Sequence, residues 1–309
     1  MHYTKTYKTV EEQADLLIQR GLVCNRGSLV ERLDWINYYR LSGYFYPFRK
    51  PESDDFIEGT NFDQVWERYC FDRKFRLLML DGIARVEVGI KTAIVRVFAR
   101  EYGPFGYMRR GNLPNISDRL YEELMGSMAQ DMNSSRAKFV EAYREKYGDS
   151  EQSLPLWMAV ELMTFGKMLK FYEGMEKKLQ NEIAGNFSQQ KTPFISWLRS
   201  LNVVRNICAH HARLWNRVLG VAPILYPKNE TKKRESKWFS PVPVNNRRIF
   251  ASITLILEML SVMAPKSGWK ERLLGLLECY PNIPLVEMGF PENWRQTPFF
   301  AGTPREVLK

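Results

Sequence analysis

The chain has 309 residues, a net charge of +10 and a pI near 9.3, with 45% hydrophobic and 26% charged residues. That composition is ordinary for a globular protein long enough to build a core without staples, and it excludes disorder over most of the length. The four cysteines, Cys24, Cys70, Cys208 and Cys279, form no CxxC pair, which argues against a disulfide scaffold or zinc ribbon and fits a reducing, cytoplasmic setting.

The pattern along the chain is helical almost throughout, with no alternating strand, no GxGxxG and no P-loop. The opening residues MHYTKTYKTVEEQ lack an apolar core, so no secretory signal is expected. Thr9-x-x-Glu12 and Ser28-x-x-Glu31 read as capping boxes, in which the hydroxyl accepts an orphan N–H and the glutamate reaches back. They open a first helix to about Arg20, stopped by Gly21, and a second from Ser28 to about Tyr39, stopped before Gly43. Thr60-x-x-Asp63 opens a long helical region ending by Gly103–Pro104, with a break expected near Gly82. Helices are expected at about 117–131 and 135–146. Pro155 opens another, and Thr192–Pro193 opens the helix of most interest, since a proline N–H is not missed in a first turn. Segment 221–244, rich in proline and charge, reads as a loop. Helices at about 245–264 and 268–279 follow, and the proline-rich tail from Pro281 should be irregular. The most apolar late stretch, Ala251 to Ala264, is 14 residues long and contains Glu258. A bilayer span needs ~20 apolar residues, so no transmembrane helix is expected. The organisation implied is one helical domain over 1–220, a loop over 221–244, and C-terminal helices and tail over 245–309 packed on the same unit.

Charge is unevenly spread. Residues 183 to 229 contain no Asp or Glu, while Lys191, Arg199, Arg205, Arg213, Arg217 and Lys228 all lie there. A one-sign, Trp-containing stretch is a candidate phosphate-binding face, with a solvated basic helix as the plainer alternative. From Phe194 the apolar residues step by three and four through Trp197, Leu201, Val204 and Cys208 to His211, Trp215 and Val218. At ~100° per residue they form one buried stripe, with Arg199, Asn206, His210, Arg213 and Arg217 roughly opposite. On this reading His211 is in the buried seam and His210 is on the open face.

The chain has three histidines, and His2 is the third. A histidine pair inside a basic helix suits phosphodiester chemistry. Imidazole moves protons at physiological pH, and arginine stabilises charge building on a phosphate. Arg205 and His210 are five residues apart, which puts them ~140° apart on a straight helix. They do not share a face, and one open histidine cannot serve as both acid and base. A site at a two-fold interface solves both problems, because each chain supplies one Arg and one His.

The stretch Val204-Arg-Asn-Ile-Cys-Ala-His-His-Ala-Arg-Leu-Trp-Asn-Arg217 resembles the signature of the Abi family, bacterial phage abortive-infection proteins. Further blocks agree in order: Ile36-Asn-Tyr-Tyr-Arg-Leu-Ser-Gly-Tyr44, Leu80-Asp-Gly-Ile-Ala-Arg-Val-Glu87, and Leu156-Trp-Met-Ala-Val-Glu161 with Phe165-Gly166. The resemblance implies an all-α, HEPN-type helical bundle with additional N- and C-terminal helices. It implies a metal-independent ribonuclease toxin, working as a homodimer without cofactor. It makes Arg205 and His210 the catalytic pair, Asn206 their polar neighbour, and Glu161 an acidic helper from an adjacent helix. Arg199, Arg213 and Arg217 would line the approach of RNA. An RNA antidote, a protein antidote and activation on infection all stay open as ways of keeping such a toxin silent, and no membrane partner is expected.

Other readings stay open from sequence. A non-catalytic RNA-binding module would use the same basic face, and in an oligomeric scaffold the motif would be structural. The cluster Tyr38, Tyr39, Tyr44, Phe45 and Tyr46, with Arg40 and Arg49, either stacks RNA bases or packs a helix end. Glu87 and Lys91 are spaced as a structural i,i+4 pair. Cys208 and His211 lack the further neighbours that a metal site needs.

Overall fold

The computed structural model describes His2, residues 6–239 and residues 241–301. Among the described residues there are thirteen α-helices and no strand, and two isolated β-bridges, Val23–Asn61 and Arg49–Phe56. In chain order the helices are α1 (Val10–Gln19), α2 (Arg26–Trp35), α3 (Tyr38–Phe45), α4 (Phe62–Tyr102), α5 (Asp118–Ser134), α6 (Lys138–Tyr147), α7 (Leu156–Leu162), α8 (Phe165–Gly174), α9 (Lys177–Gly185), α10 (Lys191–Ala209), α11 (Glu230–Arg234), α12 (Ile249–Met263) and α13 (Trp269–Cys279). None is long and apolar enough to cross a membrane. The end of the tail expected to be irregular, residues 302–309, lies outside the described residues.

The chain forms two units, Met1–Leu77 with Leu273–Ile283, and Leu78–Arg272 with Pro284–Lys309. In the first, Thr9 closes the expected capping box: its hydroxyl accepts the Glu12 N–H, and the Glu12 carboxylate accepts the Thr9 N–H at 2.7 Å. Ala14 and Leu17 of α1 are buried, as are Leu29 and Leu33 of α2, and these two helices pack together. The second box does not form. Asn25 is the cap of α2, accepting the Ser28 N–H at 3.0 Å, so the helix starts two residues before Ser28. Nor does α2 run on to Tyr39. Asn37 interrupts it and caps a separate helix, α3, by accepting the Tyr39 N–H at 2.7 Å, with Gly43 inside that helix. Asparagine outcompeted serine at the first start, because its side-chain carbonyl reaches the orphan N–H groups as well. At the start of α4, Asn61 takes the role expected of Thr60, accepting the Asp63 N–H at 2.8 Å while Gln64 accepts the Asn61 N–H at 3.3 Å.

The core of this unit is aromatic, with Phe45 against Phe56 and Phe62 at ring separations of 5.5 and 6.3 Å. Beneath it lies a buried polar knot. The Tyr44 hydroxyl donates to Asp72 at 2.6 Å, and Arg76 donates both to Tyr44 at 3.1 Å and to Asp72. Burial first, and then the Asp72 carboxylate, push the Tyr44 hydroxyl far above its ordinary range, so it stays a donor. The N-terminal aromatic cluster is therefore split. Tyr44 and Phe45 are packed inside, while Tyr39 and Tyr46 are 85% and 72% exposed.

In the second unit α4 continues without the expected break at Gly82. That glycine is a contact surface. A Cβ there would lie 2.8 Å from both Ile256 and the Trp269 ring nitrogen, so its absence lets α12 and α13 close on α4. The Trp269 ring nitrogen donates to the Leu78 carbonyl at 2.9 Å. The expected Glu87–Lys91 pair forms at 3.0 Å, largely buried. Helix α12 is buried along most of its length, from Ile249 to Ile256 and again at Met259 and Leu260. It is a core helix, which explains an apolar stretch too short for a bilayer. Helix α10 packs on α8, α9 and α12.

Candidate active site

Helix α10 buries Phe194, Trp197, Leu198, Leu201, Val204 and Cys208. Steps of three and four residues then leave Arg199, Asn202, Asn206 and His210 on the outer side, with Asn202 half-buried and the other three exposed. The helix does not continue to Val218 as its periodicity suggests. It ends at Ala209, with His210 as its cap. The His211 N–H donates to the Cys208 carbonyl at 3.0 Å and the Ala212 N–H to the Ile207 carbonyl at 2.9 Å. His211 itself has φ 56°. These are the two bonds and the left-handed residue of a Schellman motif, with histidine in the place glycine usually takes.

This turn corrects the fate of the second histidine. His211 is exposed, not buried in a seam, and Val218 is 57% exposed. Trp215 is buried as expected, but from the irregular segment that follows the turn. A buried Trp four residues past His211 mimics another helical turn, and that mimicry carried the periodicity past the true end. A signal for the stop was present. Histidine and asparagine are enriched in the left-handed region, and the second such residue here is Asn216, with φ 47°.

The expected residues are placed as follows. Arg205 is half-buried, and its guanidinium donates to the Asn206 side-chain oxygen at 3.4 Å. Asn206 and His210 are exposed one helical turn apart. Arg199 is on the same outer side, but its guanidinium donates to Glu173 of α8 at 2.6 Å. The acid-free stretch in sequence thus meets an acid in space. Arg213 is half-buried, and exposed Arg217 donates to the Arg213 carbonyl at 3.4 Å. Glu161 is exposed on α7, whose main partner is α5, whereas α10 packs on α8, α9 and α12. Among the described residues no three His, Cys, Asp or Glu side chains are grouped to hold a metal ion.

One part of the site was not anticipated. Asn216 donates its side-chain amide to Glu287 at 2.6 Å and accepts from the Arg248 guanidinium at 3.0 Å. Arg248 also donates to the Glu287 carbonyl at 3.1 Å. This clasp fixes the segment after the histidine turn to residues far along the chain. An asparagine at a strained backbone position is a local hint, but nothing local names its partners.

A family model described as Abi-like protein matches residues 31–216, more than half of the chain. No curated protein and no solved structure matches. The matched range begins in α2 and ends at Asn216, so it takes in Arg205, Asn206 and both histidines of the turn.

Proposed function

The chain belongs to the Abi-like protein family, whose role is abortive-infection defence, and from that premise we propose that it is an endoribonuclease toxin of the HEPN type. The observation that carries this reading is the end of α10, where His210 is exposed one turn beyond Asn206, with Arg205 beside that asparagine. An accessible imidazole and a guanidinium, here on different sides of one helix end, are the minimum equipment for metal-independent phosphodiester cleavage.

The reaction is attack of a ribose 2′-OH on the adjacent phosphate. His210 of one protomer takes the 2′-OH proton, and the 2′ oxygen bonds to phosphorus. The bond to the 5′ oxygen breaks, and that oxygen takes a proton from the histidine of a second copy. The products are a 2′,3′-cyclic phosphate and a 5′-OH. Arg205 holds the phosphate and stabilises the charge that builds on it. Two copies are required because Arg205 and His210 lie ~140° apart around α10, and because acid and base are separate roles. Asn206 orients the guanidinium it contacts. Glu161 acts as an acidic helper only if a partner or substrate brings α7 close to the pair.

The test is RNA cleavage in excess EDTA, wild type beside His210→Ala, with product ends mapped. The expected result is cleavage by wild type alone, leaving cyclic phosphate ends, with a rate loss on the order of 10²–10⁴ in the variant. Cleavage that requires added metal, or that survives the substitution, overturns the assignment. Tight binding by both proteins with cleavage by neither favours a non-catalytic RNA-binding module.

A further inference from the structure

Half of the net charge of the chain lies in one segment outside the motif. Residues 221–248 hold seven Lys and Arg against two Asp and Glu, a net +5 within a chain of +10. The sequence pattern reads 221–244 as a loop with a helix from about 245, whereas the helix starts at Ile249 and the whole of 221–248 is irregular apart from the short helix α11. It is nevertheless fastened. At its start, the Trp197 ring nitrogen of α10 donates to the Ile224 carbonyl at 2.7 Å, and the Ile224 N–H donates to Ser196 at 2.8 Å. In its middle, Trp238 is buried against Trp197 at 5.2 Å and donates to Thr254 at 3.0 Å. At its end, the Leu219 N–H donates to the Arg247 carbonyl at 2.8 Å. The segment is a strap that follows the end of α10 and is pinned again about three and a half turns back along that helix.

The charges on the strap fall into two groups. Lys233, Lys237 and Arg248 are used internally, Arg248 in the clasp with Asn216 and Glu287. Lys233 pairs with Glu230 at 3.1 Å and lies 5.6 and 5.1 Å from the Tyr226 and Phe239 rings, and Lys237 pairs with Glu258. Lys228, Lys232, Arg234 and Arg247 are exposed, and their side chains form no ion pair or hydrogen bond among the described residues. Meanwhile the larger apolar residues Leu225, Trp238 and Val244 are turned into the protein. A membrane-surface segment needs an apolar face to insert as well as charge. The strap buries Leu225, Trp238 and Val244 and leaves Ile224 43% exposed, and its four unpaired cations outnumber the exposed Glu230 and Glu235, a net positive surface that suits a polyanion backbone better.

We propose that Lys228, Lys232, Arg234 and Arg247 form a phosphate-tracking surface that holds single-stranded RNA alongside α10. This deepens the ribonuclease reading in that it names where the substrate strand lies, and it rests on RNA being the ligand. Binding does not require turnover, so it is testable apart from cleavage.

The experiment is fluorescence anisotropy with a labelled 20-nucleotide single-stranded RNA, in EDTA, on the full chain carrying His210→Ala. It compares that protein with one also carrying Lys228→Ala, Lys232→Ala, Arg234→Ala and Arg247→Ala, across a salt series. Each phosphate contact to a single strand contributes ~0.7 to the slope of log affinity against log salt. Loss of four contacts should flatten that slope by about 3 and weaken binding at 0.1 M salt by on the order of 10²-fold. A control removes the same charge from exposed positions in the other unit, as Lys8→Ala, Lys50→Ala, Arg73→Ala and Lys74→Ala, and should change affinity less than threefold. An unchanged slope in the strap variant overturns the proposal. So does an equal loss in the control, which would reduce the effect to net charge. Strap-dependent binding to vesicles of 30% phosphatidylserine, with RNA binding unaffected, also overturns it and assigns the strap to a membrane. If wild type never cleaves RNA but the strap variant still loses RNA binding, the ribonuclease reading fails and the strap stands.

Discussion

The two units divide the chain's charge very unequally. Met1–Leu77 with Leu273–Ile283 carries twelve Lys and Arg against thirteen Asp and Glu, whereas the other unit carries thirty-three against twenty-two. The basic pI is therefore a property of one unit. The nearly neutral unit buries an ion pair outright, with Asp72 fully inside and Arg76 only 6% exposed. The basic unit also has a largely buried pair, Glu87–Lys91, but its strap leaves Lys228, Lys232, Arg234 and Arg247 exposed in a unit whose core is built on the apolar helix α12. A charge enclosed with its counter-ion can specify packing but cannot meet a ligand. A charge left outside adds little to stability and is free for phosphate. On the proposal above, the enclosed pairs of both units serve packing and the exposed cations of the second serve recognition.

The largest effect that would break this contrast belongs to the buried pair. Arg76→Ala leaves the Asp72 carboxylate buried without its guanidinium, and should cost about 3–5 kcal/mol in urea denaturation. A loss below about 1 kcal/mol would mean that the knot around Tyr44 is not structural. In the basic unit the corresponding sensitive point is steric. Gly82→Ala places a methyl against Ile256 and Trp269, and should destabilise by about 1–3 kcal/mol with no change in RNA affinity. Altered RNA binding without lost stability would show that the α4–α12 contact is part of recognition. The smallest effect is the most informative about the site. His211→Gly relieves a left-handed backbone, and should raise stability by up to about 1 kcal/mol while sparing cleavage if His210 is the acting imidazole. A variant that folds better yet no longer cleaves would transfer the acid–base role to His211.

Much of this was legible locally. The Thr9 capping box and the i,i+4 pairing of Glu87 with Lys91 depend on residues within one or two turns of each other, and the start of α10 was read two residues late, since Lys191 rather than Pro193 is its first residue. The misread points share a cause, which is competition between near-equal local signals. Asn25 and Ser28 were both able to cap α2, and Asn37 cut a helix whose apolar spacing ran on. Gly82 looked like a breaker because a glycine that admits a neighbouring helix and one that ends its own helix are the same letter. At the candidate site, the order Arg205, Asn206, His210 and the open face of His210 were readable. The Schellman turn, the exposed His211 and the capture of Arg199 by Glu173 were not.

The sequence by itself determined the helical class, the family and the candidate residues at the end of α10. Those follow from periodicity, capping and the order of a few motif blocks, all of which act over short separations. Tertiary structure decided where α10 stops, which arginines remain available, and that a basic loop is bound back along the helix. The stop of α10 is closed by its own Schellman bonds, but the others turn on a partner far away in the chain, such as Glu173 for Arg199 or Trp197 for Ile224. A hydrogen bond across dozens of residues leaves no spacing in the sequence, because only the packed chain brings its two ends together.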